Sequence, residues 1–479
     1  MNRTSIAAAI AVGAWVSLGP PALSENDDND QRFGTVHFAT SCNETAQRRF
    51  NRAIAILHSM WYEEAVKAFT GVAEADPACA MAWWGVAMSH WYPLWYPPTP
   101  TALKGGAAAV AKAEAISAKT ERERGYIAAI AAFYRDSDTV DHRTRAVAYE
   151  HAMASLHQNY PDDREAAIFY ALALDAVAPA TDKTFANQKK AAAILEPIFA
   201  EQPNHPGVAH YLIHSGDAPP LAAAGLAAAR RYAEIAPSVP HALHMPSHIF
   251  TRLGYWQESI DTNIRSAEAG QAYAKTAFGD GVVWDQSLHA MDYLAYAYLQ
   301  IGQDHKAKAV MDEIMAFKKA LPDSLPAAYA IAAIPARYAV ERRNWAEAAK
   351  LEIPPVATTL SKFPWTTAMI TFARALGDAH MGDLVAARSE IDKLAATRDA
   401  LKSGNAPRPS SISRSLSASP PKPIRPSPKW PKRPHTWRDE RQATRRSFNK
   451  DFLLALAADF KSTAPRLSRR SAGNSLRPT

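Results

Sequence analysis

Histidines, which can bind metal ions or transfer protons, are concentrated in one region of this chain. The sequence has 16 His in 479 residues, and one stretch holds His205, His210, His214, His241, His244, His248 and His289. Two pairs share a spacing of four residues, namely His210 with His214 and His244 with His248. That spacing places both rings on one face of a helix, one turn apart, where they can share a metal ion. Imidazole ligands suit Zn²⁺, Cu²⁺ or Ni²⁺.

The two histidine pairs belong to a longer repeat. Pro206 and Pro240 are 34 residues apart, and the same interval separates the corresponding histidines of the two pairs. A helix–turn–helix period of 34 residues is typical of tetratricopeptide repeats. From about residue 45 to residue 400 the chain is Ala-rich, with apolar residues at spacings of three and four. Strands and helices do not alternate, which argues against nucleotide-binding α/β folds.

Several segments resemble the turn between the two helices of a tetratricopeptide repeat. They lie at 60–65, 252–260, 302–307, 344–348 and 382–387, and Gly254 and Gly302 mark the end of a first helix. Pro77 and Pro237 match the family's closing proline. The resemblance implies an all-α, right-handed superhelical solenoid of helical hairpins over residues 45–401. The segment 244–250, His-Met-Pro-Ser-His-Ile-Phe, resembles a group of exported bacterial tetratricopeptide proteins, a similarity that implies no activity.

The family register also implies a ligand-binding groove. In tetratricopeptide proteins five positions of each first helix line the concave face. With Gly254 at position 15, the register assigns to this face His58, His210, His214, Asp217, His241, His244, His248, Arg252, His289 and Asp292. Pro246 falls inside the same first helix as His244 and His248, so a local irregularity of that helix is expected.

Three interpretations of these residues remain open. The histidines could be structural and hydrogen-bonded between neighbouring helices. They could bind a metal ion, with His210, His214, His244 and His248 as first ligands, completed by His241, His289 or Asp292. The metal would be zinc or copper, and Met245 would favour copper. In the third interpretation the histidines and Arg252 contact an anionic peptide or small ligand.

The sequence favours a binding role over catalysis. It contains no Walker loop, dinucleotide fingerprint, Gly-x-Ser-x-Gly or zincin motif, so no catalytic residue is predicted. The favoured hypothesis is an exported scaffold that binds a protein or peptide partner in its concave groove. The alternative is a periplasmic metal-binding or metal-dependent protein that uses the His/Asp cluster.

The N-terminus has the pattern of a secretory signal. Asn2 and Arg3 precede an apolar run at 6–18, and small residues follow at Ala22 and Ser24. We therefore expect a signal peptide at 1–24, an N-terminal extension at 25–44 and export to the periplasm or the medium. No later run of apolar residues is long enough to span a bilayer. Export favours a disulfide between Cys42 and Cys79, and two buried free thiols are the alternative.

The net charge of +7 conceals two regions of opposite sign. Residues 402–479 hold 18 of the 54 basic and 4 of the 47 acidic side chains, a net charge of +14, so residues 1–401 carry −7. The composition of 402–479 is Ser/Pro/Arg-rich and predicts a disordered tail. We hypothesise a frameshift near Asn405, which retranslation in the other two frames would test. A nucleic-acid partner is not expected for an exported protein.

Overall fold

The computed structural model describes residues 32–94, 97–353, 356 and 363–403. Within these residues the chain is helical apart from one short pair of strands, which confirms the all-α fold class. The predicted signal peptide at 1–24, the start of the extension, residues 404–479 of the basic tail and the frameshift position all lie outside the described residues.

The helices follow one another closely along the chain. The first eight are α1 (Glu44–His58), α2 (Tyr62–Ala75), α3 (Ala80–Ser89), α4 (Pro100–Ile116), α5 (Glu121–Tyr134), α6 (His142–Asn159), α7 (Arg164–Ala176) and α8 (Ala186–Glu201). The central six are α9 (Pro206–Gly216), α10 (Leu226–Ile235), α11 (Pro240–His244), α12 (Pro246–Leu253), α13 (Trp256–Phe278) and α14 (Asp285–Gln300). The last five are α15 (Asp304–Ala316), α16 (Leu325–Glu341), α17 (Trp345–Ala349), α18 (Pro364–Met381) and α19 (Leu384–Lys402).

Two three-residue strands accompany the helices. Strand β1 (Val282–Trp284) precedes α14, and β2 (Lys319–Leu321) follows α15. They pair in parallel, with Val283 opposite Ala320. The pair therefore ties the start of α14, which carries one of the histidines, to the segment after α15.

Local sequence signals explain where many helices begin and end. The Asn43 side chain accepts a hydrogen bond from the N–H of Ala46 at the start of α1. Thr120 and Glu123 form a reciprocal capping box at the start of α5. Gly254 ends α12 with φ 78°, and Gly302 follows α14 with φ 74°. These left-handed glycines lie where the sequence predicted turns, which confirms both turn positions.

The helix that contains Pro246 is interrupted, as the sequence predicted. Proline has no N–H to donate, so α11 ends at His244 and α12 begins at Pro246. The N–H of Met245 donates to the carbonyl of His241 at 3.0 Å, and the N–H of His248 donates to the carbonyl of Met245 at 3.1 Å. The chain therefore continues in nearly the same direction through the interruption.

Most helices pack against the next helix in the chain, and several also pack against the helix two positions further along. Contacts between helices two positions apart join α1 to α3, α3 to α5, α7 to α9, α14 to α16, and α16 to α18. Helix α1 also packs against α9, which is far from it in the sequence. The segment before α1 extends the same contact, because the N–H of Thr35 donates to the carbonyl of Asn204 at 3.0 Å.

The apolar interior is divided along the chain. One cluster of buried residues runs from Phe33 to Phe250, a second from Ile260 to Val356, and a third from Leu325 to Ala373. Cys42 and Cys79 form a disulfide that joins the segment before α1 to the start of α3. Of the two alternatives for these cysteines, the structure shows the paired one. None of the described helices is both long and apolar enough to cross a membrane.

Candidate metal centre

Four helices bring six histidines together. His210 and His214 lie one turn apart on α9, and His241 and His244 lie on the short helix α11. His248 comes from α12 and His289 from α14. The interruption at Met245 keeps α11 and α12 adjacent, so side chains from α9, α11, α12 and α14 converge. The rings form two groups of three.

The first group consists of His210, His214 and His241. One nitrogen from each ring lies within 4.8 Å of the others. The Nε2 atoms of His210 and His214 are 3.0 Å apart, and the ring centroids of His210 and His241 are separated by 5.0 Å. His210 and His241 are buried, whereas His214 is half-buried. We call this group the first triad.

The second group consists of His244, His248 and His289, again with one nitrogen from each ring within 4.8 Å of the others. The Nε2 atoms of His244 and His248 are 3.0 Å apart. The centroid of the His289 ring lies 4.5 Å from that of His244 and 5.8 Å from that of His248. His244 and His248 are buried, and His289 is half-buried. We call this group the second triad.

In the second triad the other ring nitrogens of two histidines are already engaged. The Nδ1 of His244 lies 2.7 Å from Oδ1 of Asn263, whose Nδ2 donates to the carbonyl of Ser259 at 2.6 Å. That donation fixes the amide orientation, so Oδ1 is an acceptor and the His244 Nδ1 carries the hydrogen. The Nδ1 of His248 lies 2.9 Å from a carboxylate oxygen of Asp217. It donates to this oxygen, because an ionised carboxylate can only accept hydrogen bonds.

The first triad shows the same kind of engagement. The Nδ1 of His210 donates to the main-chain carbonyl of His58 at 2.7 Å. The Nδ1 of His241 lies 3.0 Å from Oε1 of Gln286. Hydrogen bonds of this kind, from the far nitrogen of an imidazole to a carbonyl, amide or carboxylate oxygen, orient the histidine ligands of metal sites. They leave Nε2 of His210, His244 and His248 unprotonated and facing a neighbouring imidazole of the same triad.

The facing nitrogens of His244 and His248 need a positive charge between them. Because both Nδ1 atoms carry hydrogen, two Nε2 lone pairs would otherwise face each other at 3.0 Å. Either a proton, which converts one ring to an imidazolium, or a metal ion resolves this repulsion. Two ligands on one metal at about 2.0–2.1 Å, at angles between 90° and 109°, are separated by about 2.8–3.4 Å. The observed separation falls in that interval.

The surroundings keep imidazoles of both triads neutral. Burial is the largest cause and lowers the pKa of His210, His214, His241 and His244 well below the usual value. Burial also lowers the pKa of His289 to about 3. Neighbouring imidazoles lower these pKa values further. Neutral imidazole is the form that binds metal ions, so no proton has to be displaced from these rings at neutral pH.

Asp217 and Tyr293 support the second triad from outside. Asp217 accepts from Nε of Arg252 as well as from His248, each at 2.9 Å. Burial opposes ionisation of Asp217, but Arg252 and His248 outweigh it and hold the carboxyl pKa far below its usual value. The Tyr293 ring packs against all three rings, with centroid distances of 4.8 to 5.3 Å. Its hydroxyl lies 3.3 Å from Nδ1 of His248.

Four residues of the predicted groove lie outside both triads: Asp217 and Arg252, described above, and Asp292 and His58. Asp292 is buried and bound to Arg337 at 2.6 Å, so it forms an ion pair rather than a ligand group with the histidines. His58 contributes its main-chain carbonyl to His210, while its side chain belongs to a different cluster. Met245 is fully buried and belongs to the large apolar cluster.

A third cluster of ligand-type residues contains His58, Glu165 and His205. Both Nε2 atoms donate to the Glu165 carboxylate, at 2.9 and 2.8 Å. The Nδ1 of His58 accepts from the Tyr211 hydroxyl at 2.9 Å, and the Nδ1 of His205 accepts from the N–H of Val208 at 3.3 Å. Every ring nitrogen therefore has a protein partner of the opposite kind. This cluster needs no metal ion, and the structural interpretation applies to it.

Sequence reasoning missed four residues of the site and its surroundings: Asn263, Gln286, Tyr293 and Glu165. Tyr293 follows His289 by four residues, a spacing that could have indicated it. No local signal marks Asn263 or Gln286, because polar residues on helices usually face solvent. Glu165 is only 4% exposed, which the sequence does not indicate either.

The predicted groove residues are buried or half-buried rather than exposed to solvent. His58, His210, His241, His244, His248 and Asp292 are buried, with 5% exposure or less, while His214, Asp217, Arg252 and His289 are half-buried. A groove that binds a peptide presents its specificity residues to solvent, so this burial favours the metal interpretation over the groove interpretation. No family model and no curated protein matches the chain.

Proposed function

We propose that this protein binds transition-metal ions in the two histidine triads. The observation that carries the proposal is the pair of Nε2 atoms of His244 and His248, which face each other at 3.0 Å while both Nδ1 atoms donate elsewhere. His289 supplies a third imidazole, and one nitrogen from each of the three rings lies within 4.8 Å of the others. The first triad repeats the facing pair and the outer hydrogen bond on His210.

The donor set indicates the class of metal. Each triad offers three imidazole nitrogens, without a thiolate or carboxylate among the ligand atoms. Imidazole suits Zn²⁺, Cu²⁺ and Ni²⁺, whereas Mg²⁺ and Ca²⁺ prefer oxygen ligands. Three protein ligands leave a fourth position for water or another small ligand, as in catalytic rather than structural zinc sites. Zinc and copper, the two metals expected from the sequence, remain the first to test.

The proposal includes a fold of the tetratricopeptide type and export from the cell. The order of helix contacts, in which α7 packs on α9 and α14 on α16, supports stacked hairpins. The left-handed glycines at the ends of helices and the 34-residue spacing support the same fold. Export is supported by the signal-like pattern at 1–24 and by the Cys42–Cys79 disulfide, since disulfides persist in oxidising compartments.

The test is the metal content and metal affinity of the full chain. Protein purified from its own compartment is analysed for zinc, copper and nickel, then stripped with a chelator and titrated calorimetrically with Zn²⁺ and Cu²⁺. We expect two ions per chain for the unaltered protein. We expect one ion per chain for the double variant His244→Ala/His248→Ala, since the first triad keeps all three rings.

The matched control is His151→Ala. The His151 side chain is 75% exposed and belongs to neither triad, so this variant should bind as much metal as the unaltered chain. Circular dichroism verifies that all variants are folded. The absence of stoichiometric binding of these metals by the folded, unaltered protein would overturn the proposal. Equal metal binding by the double variant would also overturn it.

A further inference from the structure

The two triads adjoin each other. His241 of the first triad and His244 of the second lie on the same short helix, with ring centroids 6.2 Å apart. Consecutive ring centroids from His214 through His210, His241 and His244 to His289 are separated by 4.6, 5.0, 6.2 and 4.5 Å. These five rings form an unbroken row of imidazoles that crosses from α9 to α14. Because His241 and His244 are neighbouring rings of this row, metal ions held by the two triads would occupy adjoining sites.

Within the part of the chain that the structure describes, the carboxylates near the triads supply little negative charge to balance two such ions. Imidazoles bind metal ions in their neutral form, so two divalent ions bring four positive charges. Asp217, the carboxylate bonded to a ligand ring, is already paired with Arg252. Asp292 is paired with Arg337. Four positive charges in a largely buried site require anions from outside, because burying unbalanced charge is very costly.

Each triad is accessible at one ligand. His214 in the first triad and His289 in the second are half-buried, whereas the other four ligand rings are at most 4% exposed. A small ion can reach a site that is enclosed in this way more readily than a bulky organic anion can. Each metal would also have a fourth position to fill, because each triad supplies three protein ligands among the described residues.

We infer that the two triads form one dinuclear metal centre whose remaining coordination positions are taken by a shared small inorganic anion. The inference rests on the proposed metal-binding function and adds to it the pairing of the two ions and the class of exogenous ligand. A shared anion neutralises part of the charge of both ions at once.

The test uses Cu²⁺ as the metal and azide as the anion. The stripped full chain is loaded with one and then two equivalents of Cu²⁺ and examined by electron paramagnetic resonance with and without azide. We expect the doubly loaded protein with azide to lose at least half of its integrated spin per copper, because bridged Cu²⁺ ions couple magnetically. Optical titration should show one azide bound for every two copper ions.

A single-triad variant provides the control. His289→Ala weakens the second triad while the first remains intact, so the copper it retains should give full spin intensity with azide present. Two bound copper ions in the unaltered protein with full, additive spin and one azide per copper would overturn the shared centre while leaving the metal-binding proposal intact. Failure of the unaltered protein to bind two copper ions would overturn both.

Discussion

The Nε2 atoms of His244 and His248 face each other at 3.0 Å, although Nδ1 of each ring already donates to an oxygen acceptor. Two neutral imidazoles in these tautomers repel each other. The arrangement is favourable only with a cation between the rings, which connects the hydrogen-bond pattern around the site to its proposed function. The following predictions test this connection from three directions.

The outer hydrogen bond to His244 should affect metal affinity. Replacing Asn263 by Ala removes the oxygen that accepts from His244 Nδ1, so the ring is no longer held in one tautomer and orientation. We expect the affinity of one of the two zinc sites to fall by about 10- to 100-fold. Competition with a chromophoric chelator measures this change. Gln271→Ala is the control, because Gln271 bonds to Glu313 on the surface and should leave both affinities unchanged.

Acid should release the metal and destabilise the metal-free protein. The folded-state pKa of His289 is lowered to about 3, and those of four other ligand histidines are also lowered. Below about pH 6.5 the unfolded chain therefore binds more protons than the folded chain, and the free energy of unfolding falls as pH falls. Each such group contributes about 1.4 kcal/mol per pH unit between its two pKa values.

Urea unfolding of the metal-free protein at several pH values between 7 and 4 measures this effect. Zinc affinity measured over the same interval should fall in parallel, since protons compete for the same nitrogens. In His289→Ala the loss of stability between pH 6.5 and 4 should be smaller, because one of the titrating groups is gone. Stability that does not change with pH in this interval would contradict the assignment of neutral histidines.

The cluster around Glu165 should act in stability and not in metal binding. In Glu165→Gln one of the two imidazole N–H groups, from His58 or His205, loses its acceptor and meets an amide N–H instead. We expect the variant to lose about 2–4 kcal/mol of unfolding free energy, the usual cost of breaking a buried polar network. Chemical denaturation measures the loss, and the folded variant should still bind two zinc ions. A drop in zinc stoichiometry would instead place this cluster among the metal sites.

Pro246 and Asp292 show which features could be predicted from the sequence and which could not. Pro246 implied an interrupted helix, because the missing N–H acts on the turn that contains it, and the structure confirms the interruption. Asp292 fitted the same groove register as the histidines, but the structure pairs it with Arg337 from another helix. The register of one helix cannot reveal which side chain of a second helix lies opposite.

The all-helical class, the turn positions at Gly254 and Gly302, and the histidine pairs one helical turn apart could be predicted from the amino-acid sequence. These features follow from hydrogen bonding and steric restrictions within a few residues of the chain. In contrast, the hydrogen bond from His210 to the carbonyl of His58, 152 residues away, and the contact of His244 with Asn263 are visible only in the folded protein. Such partners depend on how helices pack, and packing is set by the combined burial of many side chains distant in sequence. Helix packing therefore determines the tautomers of the histidines, and the tautomers determine the chemistry of the site.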